Sequence, residues 1–581
     1  MDLESVLPRV SKPARYTDGE WNAVHKDAAG VRARFALVYP DTYEVGMSHL
    51  GLQILYHVLN SHPDFLAERA FSPWPDMEAE LRKRGLPLFS LESRTPLREF
   101  DVVGITLPYE LCYTNVLNLL DLAGIPLRAA DRGEGDPLVV GGGPGAVNPE
   151  PMAPFLDAIF VGEAEEGIVE IAEAAAGATR AEAMERLAAI PGMYVPARYQ
   201  YAPAGPGPVG VVVPRDGAPA TIARRFVADL DAAPFPTRPL VPFIETVHSR
   251  VTLEIMRGCA RGCRFCQAGV AYRPRRERSV GCLLRQAEEA LAATGYDEVS
   301  LLAFTSADHS QIEELVAALA DRFGPRGVGV ALPSLRADAF SVALANKIQE
   351  VRKSGLTFAP EAGTDRLRRV IRKSVSEEQL FAAAEAAFSS GWHRLKLYFM
   401  IGLPTETEED VLAIPDLVKR LLAFGRGMLG AKRGRLQLSV SVAAFVPKPH
   451  TPFQWAPQDD RHTLAHKQEL LQRELRDRAI KLSWTDPAVS ALEAAISRGD
   501  RRVGDAIENA WRLGAKFDAW GEHFEFPRWQ QAFGRAGLAL EEYANCTPGL
   551  DQPLAWDHID CGLGRAKLQE EAARALAGKG E

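Results

Sequence analysis

The sequence predicts an α/β protein with a Rossmann-like, doubly wound N-terminal domain, a central partial (β/α)6 barrel and a helical C-terminal region. Three observations predict this class. Apolar strand-like runs alternate with helix-like stretches near the N-terminus and again in the centre, which favours parallel sheets. Glycines follow several of the N-terminal runs, as they do at ligand-binding strand ends. The last part of the chain is rich in Ala, Leu, Arg and Glu and lacks strand alternation.

Length and composition indicate several domains and exclude some functions. A chain of 581 residues is too long for one hydrophobic core. Its 67 basic and 76 acidic residues give a net charge of -9, which disfavours a general nucleic-acid coat but allows a local phosphate site. No apolar run approaches the roughly 18–20 residues of a membrane span, and the N-terminus has no secretory pattern. We expect a cytoplasmic protein with no membrane contact.

The predicted division of the chain is 1–175 for the N-terminal domain, 176–245 for a Pro/Gly-rich linker, 246–457 for the barrel and 458–581 for the helical region. In the N-terminal domain we expect strands at 32–39, 101–107, 138–140 and 158–161. In the barrel we expect six strands, at 251–256, 298–304, 328–332, 356–360, 395–401 and 436–446.

Cys259, Cys263 and Cys266 lie within eight residues, directly after the first predicted barrel strand. Three thiolates are one ligand fewer than a closed tetrahedral site needs, whereas a 4Fe-4S cluster held by three thiolates keeps one iron open for catalysis. A structural zinc is the alternative, with Cys282 or His309 as the fourth ligand, but neither has a familiar zinc spacing. Disulfides are disfavoured because three clustered cysteines cannot pair evenly.

The cysteine loop resembles the CxxxCxxC loop of the radical S-adenosylmethionine (SAM) superfamily, whose fold is a six-unit open barrel. The resemblance implies that the three cysteines bind a 4Fe-4S cluster, that SAM binds the open iron, and that its cleavage gives a 5′-deoxyadenosyl radical. It also implies SAM contacts along the barrel. These are Phe265, Ser306, Asp308, Ser334, Arg336, Glu361, Gly402 and Pro404.

The N-terminal domain resembles the cobalamin-binding domain found ahead of many radical SAM enzymes. Where methionine-synthase-type domains have Asp-x-His-x-x-Gly, this chain has Tyr43 in place of the His. Tyrosine is a poor neutral ligand, and His49 is expected to begin a helix rather than ligate cobalt. The residues expected near a cobalamin are Tyr43, Thr106, Gly141, Gly142, Gly143, Gly162 and Glu163. A Rossmann-like domain that has lost its cofactor is the alternative.

The leading functional hypothesis is cobalamin-dependent methyl transfer to an unactivated carbon. Two alternatives stay open: a radical SAM enzyme that modifies RNA or rearranges its substrate without methylcobalamin, and a non-catalytic iron–sulfur redox sensor. The expected partners are an electron donor such as flavodoxin or ferredoxin and an unidentified substrate, with RNA among the candidates. Cys546, His558 and Cys561 form a weaker pattern, which favours core packing over a second metal site.

Overall fold

The computed structural model describes residues 3–332 and 356–578. The N-terminal sheet has the strand order β2-β1-β3-β4-β5-β6, in which β6 alone runs antiparallel to its neighbour. Its strands are β1 (Ala33–Tyr39), β2 (Phe65–Phe71), β3 (Val102–Thr106), β4 (Leu138–Gly142), β5 (Ala158–Phe160) and β6 (Met193–Tyr194). The four predicted strands are confirmed, and β2 and β6 are additional.

Helices cover both faces of this sheet, as the predicted doubly wound fold requires. They are Tyr43–Met47, Leu50–Ser61, Pro75–Arg84, Tyr113–Leu122, Gly167–Ala175 and Arg180–Ala188. The strand order reverses between β1 and β3. In such folds ligands bind in the crevice at this switch point, outside the carboxyl ends of the strands.

The central domain contains the six predicted parallel strands in two groups. The first group is β10 (Val251–Glu254), β13 (Glu298–Leu302) and β14 (Gly329–Ala331); the second is β15 (Leu356–Glu361), β16 (Arg394–Ile401) and β17 (Gln437–Ala444). One apolar core contains residues of both groups. The helices around it are Ala268–Ala271, Val280–Thr294, Ile312–Phe323, Asp365–Val370, Glu377–Ser389 and Glu408–Leu429.

The region predicted to be only helical contains one further strand. β18 (Ile480–Trp484) pairs in parallel with β17 and extends the second group to four strands. The expectation that no strand follows residue 458 is therefore corrected. The rest of this region is helical as predicted, with helices Arg461–Glu474, Pro487–Ser497, Val503–Arg512, Phe526–Arg535, Leu540–Ala544 and Arg565–Leu576.

Short strands tie the segment between the two large domains to its neighbours. A hairpin forms from β7 (Tyr199–Pro203) and β8 (Gly210–Pro214), and β9 (Ile222–Ala223) pairs with β19 (Ile559–Asp560) near the C-terminus. The remaining pair, β11 (Met256–Arg257) and β12 (Arg276–Glu277), is antiparallel. Among the helices that the structure describes, none is long and apolar enough to cross a bilayer.

Candidate active site

The cysteine loop is clamped at its base by a short antiparallel pair. β11 precedes the loop, and its partner β12 follows the loop. Gly258 has φ +85°, and a Cβ there would lie 2.5 Å from the Tyr272 carbonyl oxygen and 2.6 Å from that of Pro274. Only glycine combines this conformation with such a close approach. The base of the loop is therefore fixed by backbone packing.

The three cysteines belong to one loop that follows the first barrel strand at its carboxyl end. All three are partly exposed, and the Cys266 amide donates to the Cys263 carbonyl oxygen at 3.1 Å. Burial raises the pKa of Cys266 to about 11, with smaller raising contributions from Cys263 and Cys259; the Gly269 and Ala268 amides act in the opposite direction. A cationic centre would relieve this repulsion and hold the thiols as thiolates. The donor set therefore fits an iron–sulfur cluster.

The two residues considered as a fourth zinc ligand are engaged elsewhere. The His309 ring bonds the Arg278 carbonyl oxygen through Nε2 at 2.9 Å and accepts from the Gln311 amide through Nδ1 at 3.1 Å. Cys282 is buried beside Asp231. Across residues 3–332 and 356–578, no group of three or more His, Cys, Asp or Glu side chains is arranged to hold a single metal ion.

Buried contacts support the outer side of the cysteine loop. The fully buried Arg264 donates through Nε to Glu571 at 3.1 Å and through Nη1 to the Val370 carbonyl oxygen at 2.8 Å. Phe265, expected as the aromatic residue of the loop, packs on a small apolar cluster that includes Ile371. The C-terminal helix Arg565–Leu576 thus carries a residue that positions the cysteine loop.

Three of the expected SAM contacts lie at the ends of β15 and β16. Glu361 has φ +67°, a strained value for a residue with a side chain, and bonds Lys373 at 3.1 Å. Gly402 has φ +80° and donates its amide to Glu406 at 2.8 Å. Pro404 follows two residues later and is partly exposed. Backbone strain of this kind clusters at functional sites, so these strand ends suit cofactor contacts.

The other expected SAM contacts have mixed outcomes. Ser306 is fully buried, and its hydroxyl donates to the Leu301 carbonyl oxygen at 3.3 Å. Asp308 accepts from Nε of Arg261, a residue of the cysteine loop, at 2.8 Å. Asp308 therefore contacts the loop directly, whereas Ser306 supports the strand end. Ser334 and Arg336 lie outside the described residues.

Glu163, expected near a cobalamin, instead binds arginines on both sides of the cysteine loop. Its carboxylate accepts from Arg276 and Arg257, at 2.8 and 2.9 Å. Burial acts to raise the pKa of Glu163, but the two guanidinium groups outweigh it and lower the pKa below 4.5. A Cβ at the preceding Gly162 would lie 2.2 Å from the Arg225 carbonyl oxygen. Both residues thus join the N-terminal domain to the segments beside the loop.

Three of the remaining residues expected near a cobalamin, Tyr43, Gly141 and Gly143, pack closely against the chain itself. Tyr43 is buried and donates its hydroxyl to Glu20 at 2.9 Å. A Cβ at Gly141 would lie 2.6 Å from Leu156, and one at Gly143, where φ is +105°, would lie 3.2 Å from the Leu107 carbonyl oxygen. The other two, Thr106 and Gly142, end β3 and β4. His49 begins the helix Leu50–Ser61, as predicted.

The crevice between β1 and β3 does not fit a cobalamin in this conformation. Trp520 donates its Nε1 proton to Asp41 at 3.0 Å, and the Phe517 amide donates to Asn115 at 2.7 Å. Asn115 in turn donates to the Pro40 carbonyl oxygen at 2.8 Å. Residues of the C-terminal region therefore stand where the fold would place a ligand.

The N-terminal domain also meets the barrel directly. Lys448, after β17, bonds Glu110 of the N-terminal domain and Glu493 of the C-terminal region, both at 2.9 Å. His450 bonds the Val147 carbonyl oxygen at 2.9 Å. A cavity of only about 90 Å³ remains beside these contacts, lined by Gln267 among others. The sequence segment around Lys448 resembled the end of the sixth strand, but nothing in it indicated these partners.

Cys546, His558 and Cys561, the weaker pattern near the C-terminus, do not form a metal site. The Cys546 thiol contacts Arg498 at 3.1 Å, and Cys561 is buried. His558 is buried against Tyr194 and Tyr199, and its Nε2 lies 3.7 Å from a carboxylate oxygen of the buried Glu150. Packing therefore accounts for all three residues.

Comparison with known proteins agrees with this geometry. Residues 51–196 match a family described as "Radical SAM proteins, N-terminal", and residues 253–418 match "Radical SAM superfamily". The uncharacterized protein MJ0966 of Methanocaldococcus jannaschii is 26% identical over 476 residues, which are 81% of this chain and 90% of that protein.

Two further similarities are more local or concern the fold alone. A tRNA-2-methylthio-N(6)-dimethylallyladenosine synthase of Sorangium cellulosum is 28% identical over 261 residues, 40% of this chain and 49% of that protein. The structure of the cobalamin-dependent SAM radical enzyme OxsB, with aqua-cobalamin bound, aligns with a TM-score of 0.50 at 13% identity. The alignment covers 83% of this chain and 68% of OxsB.

The matched families, the parallel strands of the barrel and the three-cysteine loop at their carboxyl ends lead to one assignment. The chain belongs to the radical SAM superfamily, whose cofactors are a 4Fe-4S cluster and SAM.

Proposed function

We propose that this radical SAM enzyme cleaves SAM reductively at a cluster on Cys259, Cys263 and Cys266 and then abstracts hydrogen from a substrate at the barrel mouth. The observation that carries the proposal is the loop of three thiols whose nearest candidate fourth ligands, His309 and Cys282, are committed to other contacts. The cluster, when bound, supplies the electron that splits the sulfonium bond of SAM.

The chain's own residues provide ligation, orientation and shielding. The three cysteines would hold the cluster, and Gly258 and Arg264 fix the loop that carries them. The strand ends at Glu361 and Gly402 would orient SAM, with Lys373 holding the Glu361 carboxylate. Contacts between the N-terminal domain and the barrel, such as His450 with Val147, keep water away from the barrel mouth.

The test is SAM cleavage by anaerobically reconstituted protein with dithionite. We expect 5′-deoxyadenosine and methionine from the wild type and none from Cys263→Ala, because two thiolates do not retain the cluster. Cys282→Ala is the matched control and should keep the activity, since Cys282 lies on the helix Val280–Thr294 away from the loop. Cleavage by Cys263→Ala at the wild-type rate would refute the proposal. An EPR signal of the reduced cluster that SAM leaves unchanged would favour the redox sensor.

Methyl transfer through cobalamin is the second candidate, favoured by the fold shared with OxsB. Phe517 and Trp520 occupy the crevice in this conformation, so methyl transfer through cobalamin would require them to leave it. RNA modification without cobalamin is supported by the local similarity of this chain to the tRNA-2-methylthio-N(6)-dimethylallyladenosine synthase. Adding tRNA to the SAM cleavage assay tests this alternative. If tRNA is the substrate, SAM consumption should increase when tRNA is present.

The electron donor belongs to the same proposal. We expect a flavodoxin or a ferredoxin, because Cys259 and Cys263 are partly exposed and an electron can therefore enter from the surface of the loop.

A further inference from the structure

The segment 514–524 of the C-terminal region lies over the switch-point crevice of the N-terminal domain. Its contacts reach both strands that border the crevice. Trp520 bonds Asp41, which follows β1, and the Phe517 amide bonds Asn115, in the helix that follows β3. The side chain of Asp518 accepts from Thr114 at 2.6 Å. The segment thus joins the two sides of the crevice in the way a bound ligand would.

The two carboxylates at these contacts, Asp518 and Asp41, are buried and accept hydrogen bonds. Asp518 is almost fully buried and accepts from Trp529 Nε1 at 2.9 Å as well as from Thr114. Asp41 is buried and accepts from Trp520. A buried carboxylate that lost such a donor would be left unsatisfied, which disfavours displacement of the segment.

Trp74 of the N-terminal domain forms an aromatic cluster with three residues of the same segment. The Trp74 ring lies 5.0 Å from Phe517, 5.3 Å from Trp520 and 5.0 Å from His523, measured between ring centroids. Phe517 has φ +54°, a left-handed conformation that side chains rarely adopt. A strained residue persists where its surroundings fix it, and strain of this kind is common at clamps and switches.

We infer that the segment 514–524 is an intramolecular gate, and that it and cobalamin cannot occupy the crevice together. The domain keeps the fold of a cobalamin-binding domain, while its crevice holds the chain's own aromatic segment. Cobalamin can then enter only when the segment leaves. The inference does not depend on the proposed radical reaction, because its test reads cobalamin binding rather than SAM cleavage.

The test compares hydroxocobalamin binding by the full-length wild type, Trp520→Ala and the matched control Trp484→Ala, whose side chain is an exposed part of β18. Binding is read from visible absorption and cobalt content after gel filtration. Loss of the Asp41 hydrogen bond and of the contact with Trp74 should tighten binding about tenfold in Trp520→Ala. The control should bind as the wild type does. Phe517→Ala, which keeps the left-handed strain but loses the ring contact with Trp74, is a second gate variant with the same expected direction.

Hydrogen exchange of the segment 514–524 completes the test. If the wild type binds cobalamin, exchange of the segment should rise on binding, because the segment must leave the crevice. Wild-type binding with unchanged exchange there would overturn the inference. So would folded Trp520→Ala and Phe517→Ala variants that both bind no more tightly than Trp484→Ala.

Discussion

At the scale of single residues, Gly258 shows how a cofactor loop is specified by the absence of a side chain. Its positive φ and the carbonyl oxygens of Tyr272 and Pro274 leave no room for a Cβ. The loop that carries the cysteines can then leave the strand with its base fixed by these contacts. The sequence showed the cysteine spacing, whereas the need for this glycine appears only when the neighbouring backbone is in place.

Gly258→Ala should abolish cluster uptake although every cysteine remains. A Cβ about 2.5 Å from backbone atoms forces the base of the loop to shift, and backbone carbonyls cannot rotate away as a flexible side chain can. Iron and sulfide content after anaerobic reconstitution measures this, and we expect near-complete loss. Gly269→Ala is the control: its Cβ would meet no atom within 4 Å, so it should retain the cluster. A fully loaded Gly258→Ala protein would contradict the argument.

Glu163 shows which part of the site a sequence cannot predict. The glycine-flanked position at a strand end suggested a cofactor contact. Its partners are Arg257 and Arg276, which lie 94 and 113 residues further along the chain. A local pattern holds no information on such distant partners. The cysteine triad could be predicted because all of its ligands lie in one short segment.

At the scale of elements, the barrel strands were the most predictable part of the fold. All six coincide with apolar-rich runs that alternate with helix-like stretches, which is the pattern of a parallel sheet. β2 was missed because Glu68 and Arg69 interrupt its apolar pattern. Both are buried, and Arg69 bonds Glu20 and Glu92 from elsewhere in the chain. β18 was missed because it is a short, largely exposed edge strand within helical surroundings.

The C-terminal helix Arg565–Leu576 gives an element-scale prediction. Glu571→Gln removes the charge that Arg264 requires in its buried position, so we expect about 3 kcal/mol of lost stability and a weaker hold on the cluster. Denaturant unfolding and the rate of iron loss to a chelator measure the two effects. The neighbouring Glu570→Gln, whose side chain is about half exposed, should leave stability almost unchanged. Equal effects of the two variants would contradict the assigned role.

At the scale of the whole molecule, buried histidines link stability to pH. Burial lowers the pKa of His450 to about 4, and burial together with nearby positive charge lowers that of His558 to about 3. In the unfolded chain both should titrate near 6.5. Their contribution to stability is therefore complete above pH 6.5 and is lost as the pH falls towards these native values.

When the pH is lowered from 7 to 5, each of these histidines should reduce the free energy of unfolding by about 2 kcal/mol. His558→Asn should reduce the difference in unfolding free energy between the two pH values by about that amount, as measured by denaturant titration at each pH. The assignment would fail if His558→Asn kept the wild-type pH dependence.

Lys448 has a consequence for how the molecule can open. Its ammonium group is shared by carboxylates of the N-terminal domain and the C-terminal region, while its own backbone belongs to the barrel. If any one of the three bodies moved outward alone, a partly buried charge of this ion-pair group would lose a partner. A bulky reactant would therefore enter more easily when all three bodies move together than when one of them moves alone. A fragment produced by cutting the chain at either domain boundary would expose an ionised side chain that has lost its ion-pair partner.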